Sequence, residues 1–135
     1  MLTQQYVNNL AYKIVGCAIE VHKEIGPGLL ESVYHQCLKE ALISNRFEVS
    51  SKVRVPVKYK GKDLGQVLEI DLLVNQLVIV EIKATEIIHP VYKAQLLSYL
   101  KLTQKPKGLL INFHTDNIVK SLVPLVTEEF EKLPL

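Results

Sequence analysis

The run Leu77-Val78-Ile79-Val80-Glu81-Ile82-Lys83 constrains the fold more than any other stretch of the chain. Its first four residues are aliphatic without alternation, so a strand built from them has no face suited to water. Such a strand belongs in the middle of a sheet, with helices covering both sides. Glu81 and Lys83 then interrupt the apolar run, and a charge buried in a sheet is costly unless something compensates it. Side chains two apart on a strand share a face, so Glu81 and Lys83 stand side by side while Ile82 points into the opposite layer.

The flanking segments supply those layers. Across residues 7–25, Val7, Leu10, Ala11, Ile14, Val15, Ala18, Val21, His22 and Ile25 recur at helical spacing, the stripe of an amphipathic helix. Gly26-Pro27-Gly28 ends it. Leu30, Val33, Tyr34, Cys37, Leu38, Ala41 and Leu42 mark a second helix, from near Leu29 to around Asn45. Over residues 47–59 the period changes to two, Val49, Val53, Val55, Val57 and Tyr59 alternating with Ser50, Lys52, Arg54, Lys58 and Lys60. Pro56 cannot donate to a ladder, which assigns this strand to an edge. A turn at residues 60–63 leads into strands over residues 64–74 and 77–84. A third helix follows His89-Pro90 and runs to the break at Lys105-Pro106, and residues 108–113 form a buried strand. An extended segment over residues 118–123 precedes a tail, residues 125–135, expected as a short helix or loose end. The expected architecture is one α/β domain over residues 1–135, a mixed central sheet of about four strands flanked by helices.

Asp71 precedes Glu81 by ten positions, and the loop between their strands decides whether the two acids meet. A two-residue turn at Asn75-Gln76 would pair Val74 with Leu77 and leave the acids on opposite faces. A three- or five-residue loop sets them directly opposite, with Cβ atoms roughly 5 Å apart. Carboxylates that close repel, and both stay ionised most easily around a cation; oxygen donors select a hard divalent ion such as magnesium. Lys83 beside them would stabilise charge developing on a phosphate and help position an attacking water. This is the apparatus of phosphodiester hydrolysis.

Asp71 followed by Glu81-Ile82-Lys83 resembles the D…ExK signature of the PD-(D/E)XK nuclease superfamily, and Gly28-Leu29-Leu30-Glu31-Ser32-Val33-Tyr34 resembles the motif that names its GxxExxY family. The likeness extends from about Leu10 through Phe113. It implies a restriction-endonuclease-like core in which Glu31, Asp71, Glu81 and the carbonyl of Ile82 bind Mg2+ or Mn2+. Lys83 and Gln95 would then join Asp71 and Glu81 in catalysis. Gln95 and Tyr99, one helical turn apart, resemble a QxxxY motif that some of these nucleases place beside the site. Ile70 stands where the name pattern has a proline, a departure that weakens the motif rather than the chemistry. The implied activity is hydrolysis of DNA or RNA, and the implied partner is nucleic acid, DNA ahead of RNA. Self-association is left open.

Other residues have plainer readings. Glu31 in the first turn of its helix gains from the dipole, as an ordinary first-turn acid does. Glu69 is expected opposite Lys83 as a simple ion-pair partner. Tyr34 is expected to pack while its hydroxyl orients Glu31. His22 falls on an apolar stripe, where a hydrogen-bonded core histidine is usual and an accessory site role is the minority view. His89 and His114 have no metal-ligand spacing. Lys52, Arg54, Lys58, Lys60 and Lys62 form one basic face if their strand is unbroken, either tracking a phosphate backbone or protecting an edge. A net charge of +2 permits nucleic-acid binding without arguing for it. The first residues lack the basic and apolar regions of a signal peptide, no apolar run is long enough for a membrane span, and two lone cysteines suggest reduced thiols. A cytoplasmic protein is therefore expected. Two further readings remain: a non-catalytic binding or accessory protein that keeps the fold, and a phosphodiesterase of small molecules.

Overall fold

The computed structural model describes residues 1–135. The chain runs α1 (Gln4–Ile25), α2 (Glu31–Ser44), β1 (Val49–Tyr59), β2 (Lys62–Val74), β3 (Val78–Lys83), α3 (Pro90–Thr103), β4 (Lys107–Asn112), α4 (Ile118–Ser121), β5 (Val123–Val126) and α5 (Glu128–Glu131). Local chemistry sets the ends. Thr3 caps α1 by accepting the Tyr6 N–H at 3.0 Å, and His89 caps α3 by accepting the Val91 N–H on Nδ1 at 3.1 Å, with Pro90 in the first turn.

The sheet order is β1-β2-β3-β4-β5. β1, β2 and β3 are successively antiparallel, β3 and β4 are parallel through the α3 crossover, and β5 returns antiparallel to β4. As the aliphatic run requires, β3 is central and buried from Val78 through Ile82. On one face Leu72, Val74, Val78, Val80, Ile82, Leu109, Ile111 and Phe113 pack with α1 and α2. On the other, Leu73, Ile79 and Leu110 meet Leu96 and Leu100 of α3.

The three-residue loop is the one that forms. Val74 pairs with Val78, Leu73 with Ile79 and Leu72 with Val80, leaving Asn75, Gln76 and Leu77 as the connection. Asn75 and Gln76 adopt left-handed φ values of 51° and 57°. The Asn75 side chain anchors the turn by accepting the Glu48 N–H at 2.9 Å.

Two expectations need correction. The segment 118–123 is not extended throughout. Asn117 accepts the N–H groups of Val119 at 3.0 Å and Lys120 at 3.3 Å, closing a single helical turn. The strand starts only at Val123, and Pro124 is accommodated because β5 is an edge. The tail therefore contributes a fifth strand and the short α5.

The basic strand is also broken. Lys52 has a left-handed φ of 52°, and the register shifts between Pro56 and Lys58. The first kink exchanges faces. Val49 packs with the α1–α2 core, whereas Val53, Val55 and Ile70 pack with α3. The even-numbered cations consequently do not form one flat face, and Lys62 belongs to β2.

No helix is long and apolar enough to cross a membrane. Gly108 sets how closely α3 approaches the sheet, since a Cβ there would lie 2.9 Å from Leu100 Cδ1 and 3.0 Å from Leu96 Cδ1. Both leucines are fully buried, so little room exists for them to yield. Gly108→Val is expected to lower stability by about 2 kcal/mol, read as a fall in the urea midpoint at constant slope.

Candidate active site

The β2–β3 ladder ends at the Leu72–Val80 pair, and the next position holds Asp71 and Glu81. There the acids' side chains take over the strand donors. The Asp71 N–H donates to Glu81 Oε1 at 3.2 Å, and the Ile82 N–H donates to Asp71 Oδ2 at 2.8 Å. The strands part at this point and the two carboxylates fill the fork.

Residues from two other elements close around the fork. An open cleft of about 220 Å³ is lined by Glu31, Ser32 and His35 of α2, Lys52 of β1, Glu69 and Asp71 of β2, and Ile82. The Ile82 side chain is fully buried in the α1–α2 core, so its main chain is what faces the cleft. Alternation along β3 agrees, because the neighbouring Lys83 carbonyl points the other way, accepting the Phe113 N–H at 2.9 Å. Glu31 is the first residue of α2, and Glu81 is only 5% exposed. Two larger hollows, of about 580 and 420 Å³, contain none of the acids Glu31, Asp71 and Glu81. Chemistry rather than size picks out the cleft.

Burial raises the carboxyl group of Glu81 to about 9, and the adjacent Asp71 charge adds to the effect. The Asp71 N–H and the Lys83 ammonium act in the opposite direction without overcoming it. Burial also raises Glu31; Lys83 and His35 pull it down while Asp71 pushes it up. Tyr99 is raised by its own burial and then by the charges of Glu81, Asp71 and Glu69. These mutual effects place Lys83 between Glu31 and Glu81 electrostatically and bring Tyr99 within reach of the acids.

Lys83 makes no ion pair, the single salt bridge of the protein being Lys132 to Glu129 at 3.7 Å. Its ammonium lies 4.4 Å from the centre of the Tyr92 ring. The expected Glu69–Lys83 pair is therefore absent. Glu69 lies beyond the end of the β2–β3 ladder and pairs in register with Arg54 on the other side.

Tyr34 also differs from expectation. Its hydroxyl donates to the Gly26 carbonyl and accepts the Leu29 N–H at 3.2 Å, while its ring stacks on Phe113 at 4.6 Å. It fixes the loop that delivers Glu31 rather than touching Glu31. Gly28, with φ of 98°, lets that loop turn. His22 reaches the Thr115 carbonyl at 2.7 Å and ties α1 to the segment after β4, so it acts as a packing histidine. Gln95 is exposed on α3, one turn before Tyr99, with no hydrogen bond to the acids. Of the basic residues, Lys52 alone lines the cleft; Arg54, Lys58 and Lys60 lead away from it along β1.

His35 is the residue that pattern reading passed over. Its Nε2 lies 3.1 Å from both the Asp71 carbonyl oxygen and Ser51 Oγ. Because a carbonyl can only accept, the tautomer protonated on Nε2 suits this site. The i, i+4 spacing from Glu31 was the available signal. Asn112 was also missed: buried beside Lys83, it accepts the Thr85 and His114 N–H groups and donates to the Thr85 carbonyl, holding the end of β3.

Residues 8–123 of the chain match the model of the PD-(D/E)XK nuclease superfamily. The chain belongs to that superfamily. Its features are compatible with the GxxExxY family. No curated protein and no solved structure matches the chain significantly.

Superfamily members typically use divalent metals. Chemically the donors fit: three carboxyl groups and a main-chain carbonyl are hard oxygen ligands. As they stand, no three His, Cys, Asp or Glu side chains are gathered closely enough to hold an ion. Each acid accepts a backbone donor on one oxygen, Glu81 on Oε1 and Asp71 on Oδ2.

The raised Glu81 group has a pH signature. The folded chain keeps a proton up to about 9 that the unfolded chain loses near 4.5, so stability should fall as pH rises between those values. Glu81→Gln retains an acceptor for Asp71 without the charge. In EDTA its stability should gain on the parent by roughly 4 kcal/mol between pH 5 and pH 8, measured by urea unfolding. Parallel curves for the two proteins would refute the assignment.

Proposed function

We infer that the protein is a divalent-metal-dependent nuclease that hydrolyses phosphodiester bonds in DNA or RNA. The observation that supports this most directly is the juxtaposition of Asp71 and Glu81 at the parting of β2 and β3, beside a cleft that Asp71 shares with Glu31. In this reading Glu31, Asp71, Glu81 and the Ile82 carbonyl hold Mg2+ or Mn2+, which would polarise the phosphate and acidify an attacking water. Lys83, steadied by the Tyr92 ring, places that water in line and offsets charge gathering on the phosphate oxygens. The water oxygen forms the new bond to phosphorus as the bond to the leaving oxygen breaks. Gln95, at the exposed end of the same wall as Tyr99, contacts a phosphate or the water. His35 holds Asp71 through its main chain.

The cleft is below the roughly 300 Å³ at which small-molecule pockets begin, which favours a polymer over a small phosphodiester. The unpaired thiols Cys17 and Cys37 support a cytoplasmic assignment. A second reading, a non-catalytic nucleic-acid-binding or accessory protein, is favoured by the engagement of both acids with backbone donors.

Purified protein should cleave DNA or RNA with magnesium or manganese and not with EDTA. Asp71→Ala, Glu81→Ala and Lys83→Ala should each lower cleavage at least about 100-fold. The enzyme reading is lost if a broad substrate panel is left intact while Asp71→Ala leaves manganese binding unchanged by calorimetry. Under the accessory reading the parent protein itself would bind no metal at the site.

A further inference from the structure

β1 and β2 are 11 and 13 residues long, yet β3 has six, and β2 pairs with it only through Leu72, Leu73 and Val74. The hairpin therefore outruns the sheet. α3 covers it as far as Val53, Val55 and Ile70, whereas every residue from 58 to 67 is exposed. From Pro56 to the turn at Lys60 the free arm extends roughly 13 Å.

The arm has a charge of its own. Residues 52–69 carry Lys52, Arg54, Lys58, Lys60 and Lys62 against Asp63 and Glu69, a net +3 where the whole chain has +2. The remainder of the molecule is thus net negative. The charged row also starts at the cleft: Lys52 and Glu69 line it, and Arg54 is the cross-strand partner of Glu69, hence on the same face.

We propose that this arm is a clamp for double-helical DNA, lying in the major groove while the adjacent strand reaches the cleft. The proposal deepens the nuclease reading and rests on it for the choice of nucleic acid as partner. A two-stranded ribbon fits the major groove of B-form DNA, whereas the corresponding groove of an RNA duplex is too deep and narrow. Lysines at the tip meet phosphates. Tyr59, 62% exposed, and Leu64 and Val67, each 47% exposed, offer apolar contacts to base methyl groups and sugars. Protection of a sheet edge accounts for Pro56, the bulge and the lysines but not for exposing those three side chains. Single strands are ordinarily held on several aromatic platforms, and the arm has one aromatic residue.

The test is fluorescence anisotropy with a mixed-sequence DNA duplex in EDTA, over a series of salt concentrations. Lys58→Gln/Lys60→Gln/Lys62→Gln should weaken binding at least tenfold and reduce the slope of log K against log salt by roughly 2 to 3. A control with equal charge loss elsewhere, Lys13→Gln/Lys23→Gln/Lys120→Gln, should change the slope by less than about 1. The parent should bind the DNA duplex more tightly than single-stranded DNA or duplex RNA. An unchanged slope in the arm variant, an equal loss in the control, or equal affinity for the other nucleic acids overturns the clamp. So does an arm variant that alters only self-association. Because binding is read without metal, absence of cleavage by the parent counts against the nuclease reading separately.

Discussion

The exchange between Asp71 and Glu81 at the parting of β2 and β3 is the interaction on which the rest of the site depends. An antiparallel ladder cannot simply stop inside a protein, because the next N–H groups would be buried without partners. Here the Asp71 and Ile82 donors are taken by the two carboxyl groups. The acids thereby end the pairing and remain beside each other. β2 is then free to leave β3 and continue as half of a long hairpin, while β3 continues alone against β4.

That departure organises the neighbouring elements. The left-handed residue at Lys52 turns β1 with β2, so that Val53, Val55 and Ile70 change layers and extend the α3 core. The turn also brings Ser51 and the Asp71 carbonyl to His35, which links α2 to the distorted pair of strands. Glu31 lies one helical turn before His35, and its loop is held by the Tyr34 hydroxyl and ring. Glu31 therefore reaches the cleft because the two helices, the sheet and the fork are joined by these few polar contacts. On the opposite layer the Tyr92 ring supports Lys83, and the charges of Glu81 and Asp71 act on Tyr99.

Much of this arrangement is legible in the residues themselves, and the limits have physical causes. The aliphatic run of β3 required a covered central strand, and the parity of the Asp71–Glu81 separation required an odd loop. Both arguments use only period two and the pairing of strands. The same register carried one step too far produced the Glu69–Lys83 pair, because nothing in the sequence marks where a ladder ends. A left-handed lysine has no signature either: Lys52 looks like any other cation on an alternating strand until its φ is known. β5 begins where the extended segment over residues 118–123 was expected to end, and Pro124 is compatible with a strand only at an edge. Tyr92 depends on the rotation of α3, set by Gly108 against Leu96 and Leu100, which is a matter of packing rather than of pattern.

The energetics of the fork argue for a ligand more strongly than its shape does. A carboxyl group pushed to about 9 in a nearly buried position is a standing cost to folding at neutral pH. Two apolar residues continuing the β2–β3 ladder would avoid that cost and would also keep the N–H groups paired through the main chain. Lys83 does not remove it, since its ammonium rests on Tyr92 and bridges to neither acid. Positive charge beside the two acids would favour the ionised form of Glu81 and offset its repulsion from Asp71. Glu31, Asp71 and Ile82 line the cleft beside the fork. Under the proposed function, a cation beside the acids of the fork and an anionic backbone along the cations of the hairpin would answer both halves of the electrostatics.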